Sequence, residues 1–306
     1  MLGVGCFVNG GEKSTNCMNN GIVVSATGLV YSSGALQIGW NGSVTGNYVK
    51  VTDAGSYWSM GNQAVTIGNT NALGLSTNNY LVITQDGIME NVGSLVIYSN
   101  NQAYLNGGTL GLVNAGVSNG LPFLAGDGTQ TATLKAQGGT LNFPSGLVIT
   151  NNANLTGTGI IAATTTVYGT VSPGLVIGVI TNSGDLILKA SATTKIEIAT
   201  NSTAGAGWDL LTVTNGTLNL GGNLNVVLSG GFTPLNAQSF VVMTNLGPLS
   251  VSDPGSAFGS QQAAVYTNAS LSGTPAGRFK VAVGTKGVTL YSYSLWQPSG
   301  SMIIIR

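Results

Sequence analysis

The strongest constraint on the fold of this chain is a repeated unit of two short strands separated by a turn. Three copies of the unit align, at residues 22–42, 49–71 and 81–101. The turn glycines occupy matching places in the three copies: Gly28, Gly55 and Gly87. The second strands carry isoleucines at matching places as well: Ile38, Ile67 and Ile97. The glycines lie 27 and 32 residues apart, which is a unit too small to bury a core unless copies stack.

The remainder of the chain continues the same strand signals, with short Val, Ile, Leu, Thr and Tyr runs between Gly, Asn and Asp turns. Long stretches with helical periodicity are absent, so the sequence predicts an all-β protein. The recurring two-strand unit predicts a right-handed parallel β-helix, or β-solenoid, with a β-sandwich array as the alternative. We expect an N-terminal segment at 1–20, solenoid coils at 21–245, and a C-terminal β region and tail at 246–306.

The chain carries few charges, and this excludes several classes of function. Its 306 residues include nine Lys and Arg, nine Asp and Glu, and no His. Nucleic-acid binding requires a basic surface, and histidine-based catalysis or imidazole-bound zinc requires His. No apolar run approaches the length of a membrane-spanning helix. We therefore expect no nucleic-acid partner, membrane span, metal or cofactor.

The low charge also fits a stack of coils. The same turn position recurs every 4.7–4.9 Å in such a stack, where equal charges repel and amides form hydrogen-bonded ladders. The sequence contains asparagine doublets at Asn19–Asn20, Asn78–Asn79, Asn100–Asn101 and Asn151–Asn152. These doublets predict amide ladders, ordinary turn residues in the left-handed region, or both at once.

Several motifs resemble those of a known family. VKVTDAGSYW (49–58) and LVITQDG (81–87) resemble short repeats of secreted bacterial proteins. GTVSPG (169–174) and AGWDLLTVTNGTLNLGGNLNVVLSGGFTP (206–234) are similar to autotransporter-associated β-strand repeat proteins. Trp208 stands where Tyr is commoner in that pattern. The resemblance implies a cell-surface or extracellular β-helix and implies no catalytic activity.

The two cysteines, Cys6 and Cys17, are a disulfide candidate. Closing that small loop contributes about 2–3 kcal/mol in the chain-entropy model and implies an oxidising compartment. The alternative is a pair of free thiols.

Aromatic residues between 40 and 80 are candidates for stacking on a glycan, because planar rings suit the faces of sugar rings. The foremost are Trp40, Tyr57 and Trp58, with Tyr48 and Tyr80 nearby. The alternative is that these rings stack inside the solenoid core.

The acidic residues do not predict a catalytic site. A glycoside hydrolase needs two facing carboxyl groups about 5–9.5 Å apart, and the nine acids form no DxD or DD motif. Asp53 and Asp86 occupy similar places in consecutive repeats, so they either share a cation or cap turn amides. Asp209 follows Trp208, and its expected role is to start a strand.

These features together predict a non-enzymatic extracellular structural protein that self-assembles into a filament, sheath or surface layer as a homo-oligomer or homopolymer. Neither end shows a charged helical cap, so both ends are expected to expose unpaired backbone groups. The tail Met302, Ile303, Ile304 and Ile305 is expected to add a strand to a neighbouring subunit. A surface adhesin or glycan-binding passenger is the second hypothesis, and a polysaccharide lyase or hydrolase is the third.

Overall fold

A computed structural model describes residues 1–5, 17–40, 44–69, 76–248, 251–252, 262–266 and 277–295. These residues form 27 strands and no helix. The first fourteen strands are β1 (Leu2–Val4), β2 (Gly21–Val24), β3 (Leu29–Tyr31), β4 (Leu36–Ile38), β5 (Tyr48–Val51), β6 (Tyr57–Ser59), β7 (Ala64–Ile67), β8 (Tyr80–Val92), β9 (Ser94–Ile97), β10 (Gln102–Leu112), β11 (Ala115–Val117), β12 (Phe123–Ala125), β13 (Ala132–Asn142) and β14 (Leu147–Ile149). The other thirteen are β15 (Ala153–Ala162), β16 (Thr165–Val167), β17 (Thr170–Pro173), β18 (Val179–Asn182), β19 (Leu186–Leu188), β20 (Thr193–Ile198), β21 (Leu210–Val213), β22 (Leu218–Asn219), β23 (Asn223–Leu228), β24 (Ser239–Asn245), β25 (Gln262–Tyr266), β26 (Gly277–Gly284) and β27 (Gly287–Leu295).

The strands stack in three parallel faces, here called A, B and C. Face A consists of β2, β5, β8, β10, β12, β14, β16, β19 and β22. Face B consists of β3, β6, β8, β10, β13, β15, β17, β20, β23 and β25. Face C consists of β1, β4, β7, β9, β11, β13, β15, β18, β21 and β24. The long strands β8, β10, β13 and β15 bend around corners and join the faces into one continuous sheet.

The fold is therefore an all-β parallel solenoid, as the sequence predicts. From β1 to β25 the strands of each face pair in parallel from one coil to the next, whereas sandwich strands pair antiparallel with their neighbours. This excludes the β-sandwich alternative. The predicted repeat is the coil itself, because Ile38 pairs with Ile67 and Ile67 pairs with Ile97.

The core lies inside the three faces and is supplied by alternate residues in most of the strands. In β7, Val65 and Ile67 are fully buried, while Ala64 and Thr66 between them are half-buried. Runs of β-branched residues suit these short strands, since such side chains pack well on a pleated surface. The resulting core is one continuous column of apolar side chains.

The C-terminal end of the solenoid is closed on two faces. Strand β25 pairs in parallel with β23 and antiparallel with β26, which forms a hairpin with β27. Strand β27 then pairs antiparallel with β24. Together these strands carry hydrogen bonding from face B over the end to face C. The prediction that both ends expose unpaired backbone groups is therefore wrong for faces B and C at this end.

The reason for this closure lies in the alternating sequence of the hairpin. Phe279 and Val281 of β26 and Val288 and Leu290 of β27 are buried, and the rings of Phe279 and Phe240 lie 5.8 Å apart. The hairpin covers the last coil with its own apolar face.

Candidate functional site

A ladder of asparagine side chains runs along the corner between faces C and A. The Nδ2 of Asn47 donates to Oδ1 of Asn79 at 2.9 Å, and the Nδ2 of Asn79 donates to Oδ1 of Asn101 at 2.9 Å. Asn20 makes the same contact with Asn47 at 3.1 Å. The backbone N–H of Asn20, Asn47 and Asn79 also donates to the oxygen of the next rung. The predicted amide ladder is confirmed over four coils.

The residue before each rung has a left-handed backbone. Asn19, Asn78 and Asn100 have φ values of 58°, 54° and 61°, and Gly46 takes this place before Asn47 with 71°. The first asparagine of each of these three doublets turns the chain, and the second forms a rung. Both interpretations of the doublets hold at this corner. The exception is Asn152, which lies outside this ladder and donates from its side chain to backbone oxygens of Gly128 and Thr129.

Directly after the ladder, tyrosine side chains project from face A. Tyr48 and Tyr80 follow two rungs and stack with ring centroids 5.4 Å apart and an interplanar angle of 9°. The ring of Tyr104 meets Tyr80 edge-on at 6.1 Å and 72°. Tyr104 is 40% exposed. We call this row of three rings the tyrosine row.

Two cavities lie beside the tyrosine row on face A. The smaller has a volume of about 180 Å³ and is lined by Asn78, Asn79, Tyr80, Asn100, Gln102 and Tyr104. The larger has a volume of about 380 Å³ and is lined by Ile97, Gln102, Ala103, Tyr104, Asn106, Val117, Asn119, Leu121, Pro122, Phe123, Leu124, Gly126 and Asp127. Gln102 and Tyr104 line both cavities, so the two are adjacent. We call them together the face A groove.

The predicted aromatic strip of Trp40, Tyr57 and Trp58 does not form. Trp58 points into the core, is fully buried, and donates from its indole nitrogen to Ser32 Oγ at 2.8 Å. Tyr57 lies on face B against Tyr31, and Trp40 is half-buried after β4. Trp58 is wrong as a glycan-stacking residue because strand alternation directs it inward. Tyr48 and Tyr80, which the sequence also predicts as members of the strip, do stack on each other on face A, whereas Tyr104 was not among the predicted residues.

The carboxylates of Asp53 and Asp127 accept hydrogen bonds from residues of the turns. Oδ2 of Asp53 accepts the backbone N–H of Ala26 at 3.2 Å, which is the capping alternative of the prediction. The pKa of Asp127 is lowered, mainly by the hydroxyl and N–H of Thr129 that donate to its carboxylate. In the part of the chain that the structure describes, no three His, Cys, Asp or Glu side chains form a group able to hold a metal.

Asp209 is the one strongly perturbed carboxyl among the described residues. It is fully buried, and its two oxygens accept the backbone N–H groups of Gly178 and Glu197, both at 2.8 Å. Burial raises the pKa of Asp209 to about 8, against the opposing effect of these two N–H donors. Strand β20 pairs with β17 only at Thr193 and Thr194, so the Asp209 carboxyl supplies an acceptor beyond that pairing. The geometry is that of a structural group, in agreement with its expected role.

The first strand on each face lies at the N-terminal end of the described solenoid. Within the described residues, β1, β2 and β3 each pair with one strand only. Their exposed apolar side chains include Val23, Leu29 and Tyr31, at 50%, 63% and 73% exposure. None of the three strands contains a charged residue or a proline. We call this surface the N-terminal edge.

The remaining predicted site residues are largely outside the described residues. Cys17 is disulfide-bonded, and Cys6, the other cysteine of the sequence, lies outside the described ranges. The predicted assembly strand Met302, Ile303, Ile304 and Ile305 also lies outside them.

The described residues form a parallel β-solenoid in which the first strands pair on one side only and the hairpin of β26 and β27 covers faces B and C at the other end. No family model, curated protein or solved structure matches the chain. The described residues contain no helix that is long and apolar enough to cross a membrane.

Proposed function

We propose that this chain is an extracellular structural protein that pairs with a second copy of itself through the N-terminal edge. The observation that carries the proposal is the set of three strand edges at one end of the solenoid that pair with no further strand within the described residues. Natural edge strands are normally protected by charge, proline, a bulge or a covering segment. Strands β1, β2 and β3 carry neither charge nor proline, and each has one strand neighbour within the described residues.

Exposed apolar side chains reinforce the same surface. Leu29 and Tyr31 project from face B and Val23 projects from face A, and all three are at least half exposed. Their burial against a second copy is favourable by about 25 cal/mol for each Å² of apolar area. The net charge of zero removes the long-range repulsion that keeps many proteins apart.

The contrast between the ends favours a closed pair over an open fibre. Continued head-to-tail stacking would need free edges at both ends, and the hairpin of β26 and β27 occupies faces B and C at the C-terminal end. Pairing of the same edge in two copies gives a two-fold interface that closes on itself. We therefore retain the structural role predicted from the sequence, and we propose a dimer in place of the predicted filament, sheath or surface layer.

The disulfide at Cys17 supports the extracellular part of the proposal, because disulfides persist mainly in oxidising compartments. The proposal assigns no catalytic role. The buried Asp209 is engaged by backbone donors, and the paired Lys195 and Glu197 neutralise each other at 2.6 Å.

The test is sedimentation equilibrium of the 306-residue chain over a wide range of concentration. The wild type should dimerise, and the double variant Val23→Lys/Leu29→Lys should weaken the dimer at least about tenfold, or 1.4 kcal/mol. A matched control is Leu175→Lys/Val176→Lys, which adds the same charge at side chains of 69% and 59% exposure away from the edge. The control should dimerise like the wild type.

A wild type that stays monomeric, or two double variants that weaken association equally, would contradict the proposal. Species that grow beyond two copies would show that the closed C-terminal end does not limit assembly. Thermal melting of both variants separates loss of pairing from loss of fold.

A further inference from the structure

The face A groove carries an inference that is independent of pairing at the N-terminal edge. The smaller cavity, beside Tyr80, and the larger cavity, beside Leu124, meet at the shared side chains of Gln102 and Tyr104. An occupant of both would be elongated and would cross the exposed ring of Tyr104. The larger volume, about 380 Å³, falls in the range of small-molecule sites.

The lining of the groove contains side-chain amides that form no hydrogen bond with the described protein residues and can therefore bind a ligand. The side-chain amides of Asn78, Asn100, Gln102 and Asn106 make no hydrogen bond within the described part of the chain. Each free amide presents a donor and an acceptor side by side, which matches neighbouring hydroxyl groups. By contrast, Asn79 is fully committed to the ladder.

The charge of the lining restricts the ligand. Neither cavity is lined by Lys or Arg, and Asp127 is the one charged residue among the lining side chains. A phosphate, a sulfated glycan or a uronic acid would therefore meet no cation and one carboxylate. A cationic ligand would meet a single exposed carboxylate that already accepts from Thr129.

The apolar part of the lining favours a ligand with flat, non-polar faces. Tyr104 is 40% exposed and Leu124 is 51% exposed, and both lie at the outer surface of face A. A pyranose has such faces together with equatorial hydroxyl groups at its rim. We infer that the face A groove binds a linear neutral oligosaccharide, with Tyr104 stacked on one sugar ring and the free amides bound to hydroxyl groups on either side.

The groove is held rigid by the core beneath it. Asn79 and Asn101, which immediately precede Tyr80 and Gln102, are fully buried rungs of the ladder. Fixing the backbone before binding reduces the entropy lost when the ligand binds. The ladder thus fixes the backbone of the site, and the side chains of the face A groove make the contacts with the ligand.

The test is titration calorimetry of the 306-residue chain with linear neutral oligosaccharides of glucose, mannose, galactose and xylose. At least one should bind, and Tyr104→Ala should weaken its binding at least about tenfold, since buried aromatic contacts dominate binding energy. The matched control is Tyr168→Ala, because Tyr168 is 39% exposed and lies outside both cavities. The control should bind like the wild type.

Oligogalacturonate serves as the anionic probe and should bind more weakly than the best neutral sugar. The inference is overturned if no neutral oligosaccharide binds, if the two tyrosine variants lose binding equally, or if the anionic probe binds as tightly. Repeating the titration with Val23→Lys/Leu29→Lys distinguishes this site from the proposed pairing. Binding should persist in that variant, and its loss there would place the ligand at the N-terminal edge.

Discussion

The two halves of the solenoid satisfy their buried polar groups at the same corner in different ways. In the N-terminal half, Asn20, Asn47, Asn79 and Asn101 occupy four consecutive coils and bond to one another. In the C-terminal half, the register at the end of face C aligns Asn182, Val213 and Asn245. The valine separates the two buried asparagines, so no ladder forms there.

The side-chain amides of Asn182 and Asn245 form their hydrogen bonds with nearby backbone and hydroxyl groups and, within the described residues, not with another asparagine. Oδ1 of Asn182 accepts the hydroxyl of Thr165 at 2.6 Å, and its Nδ2 donates to backbone oxygens of Ala163, Gly184 and Asp185. Oδ1 of Asn245 accepts the N–H of Gly247. The comparison shows that the ladder links four coils through a single row of side chains, whereas Asn182 and Asn245 each bond to a different set of partners and form no row.

The largest expected effect comes from removing a central rung. Asn79→Ala deletes the acceptor for two donors of Asn47 and the donor to Asn101, all of them buried. Each buried group left without a partner costs about 1–3 kcal/mol, so the free energy of unfolding should fall by about 3–5 kcal/mol. Chemical denaturation followed by circular dichroism measures the loss.

The control for this change is Asn154→Ala on face B, since the Asn154 side chain makes no hydrogen bond in the described part of the chain. It should change the free energy of unfolding by less than about 0.5 kcal/mol. Equal losses in the two variants would show that the ladder adds nothing beyond ordinary asparagines.

The next effect is a dependence of stability on pH that arises from Asp209 in the C-terminal half. The unfolded aspartate loses its proton near 3.8, whereas the folded Asp209 keeps it to about 8. Between these values the unfolded state binds fewer protons, so rising pH favours unfolding. The midpoint of thermal unfolding should therefore fall by roughly 5 °C from pH 4 to pH 8.

Asp209→Asn identifies the source of that slope. The chain has no histidine, so few groups titrate in this interval. The variant should be less stable at pH 4, because an amide has one oxygen for two backbone donors, and its midpoint should be nearly constant to pH 8. A slope that is unchanged in the variant would exclude Asp209 as its cause.

Much of this architecture follows from the sequence because the coil repeat is short. Gly28, Gly55 and Gly87 mark corresponding turns, and the asparagine doublets mark the ladder. Asn47 escapes the doublet pattern because Gly46 supplies the left-handed residue in place of asparagine. A search for Gly-Asn as well as Asn-Asn pairs would have found it.

Other features depend on contacts between coils that local patterns do not contain. Tyr57 and Trp58 are adjacent in β6, so alternation places them on opposite faces of the strand, and the stacking of the coils sets which of the two faces is buried. The larger cavity needs residues 121–127, which include β12, beside Tyr104, and the stacking of coils brings these two parts of the chain together. The alternating residues on either side of Thr285 and Lys286 are typical of a hairpin, and the hairpin forms there. Its position over the last coil depends on the pairing of β27 with β24, which is a tertiary contact.

The smallest expected effect comes from extending a ladder into the C-terminal half. Val213 is fully buried between Asn182 and Asn245, so Val213→Asn places a third amide in register with two others. A buried amide with hydrogen-bond partners costs much less than one without. We therefore expect the free energy of unfolding to fall by about 1–2 kcal/mol for Val213→Asn and by about 3–4 kcal/mol for Val226→Asn.

Val226 is a matched control because it is equally buried and its register neighbours in face B, Ile196 and Val265, are apolar. Chemical denaturation compares the two variants. If they cost the same, register alone does not build a ladder, and the left-handed residue that precedes each rung in the N-terminal half must also be required.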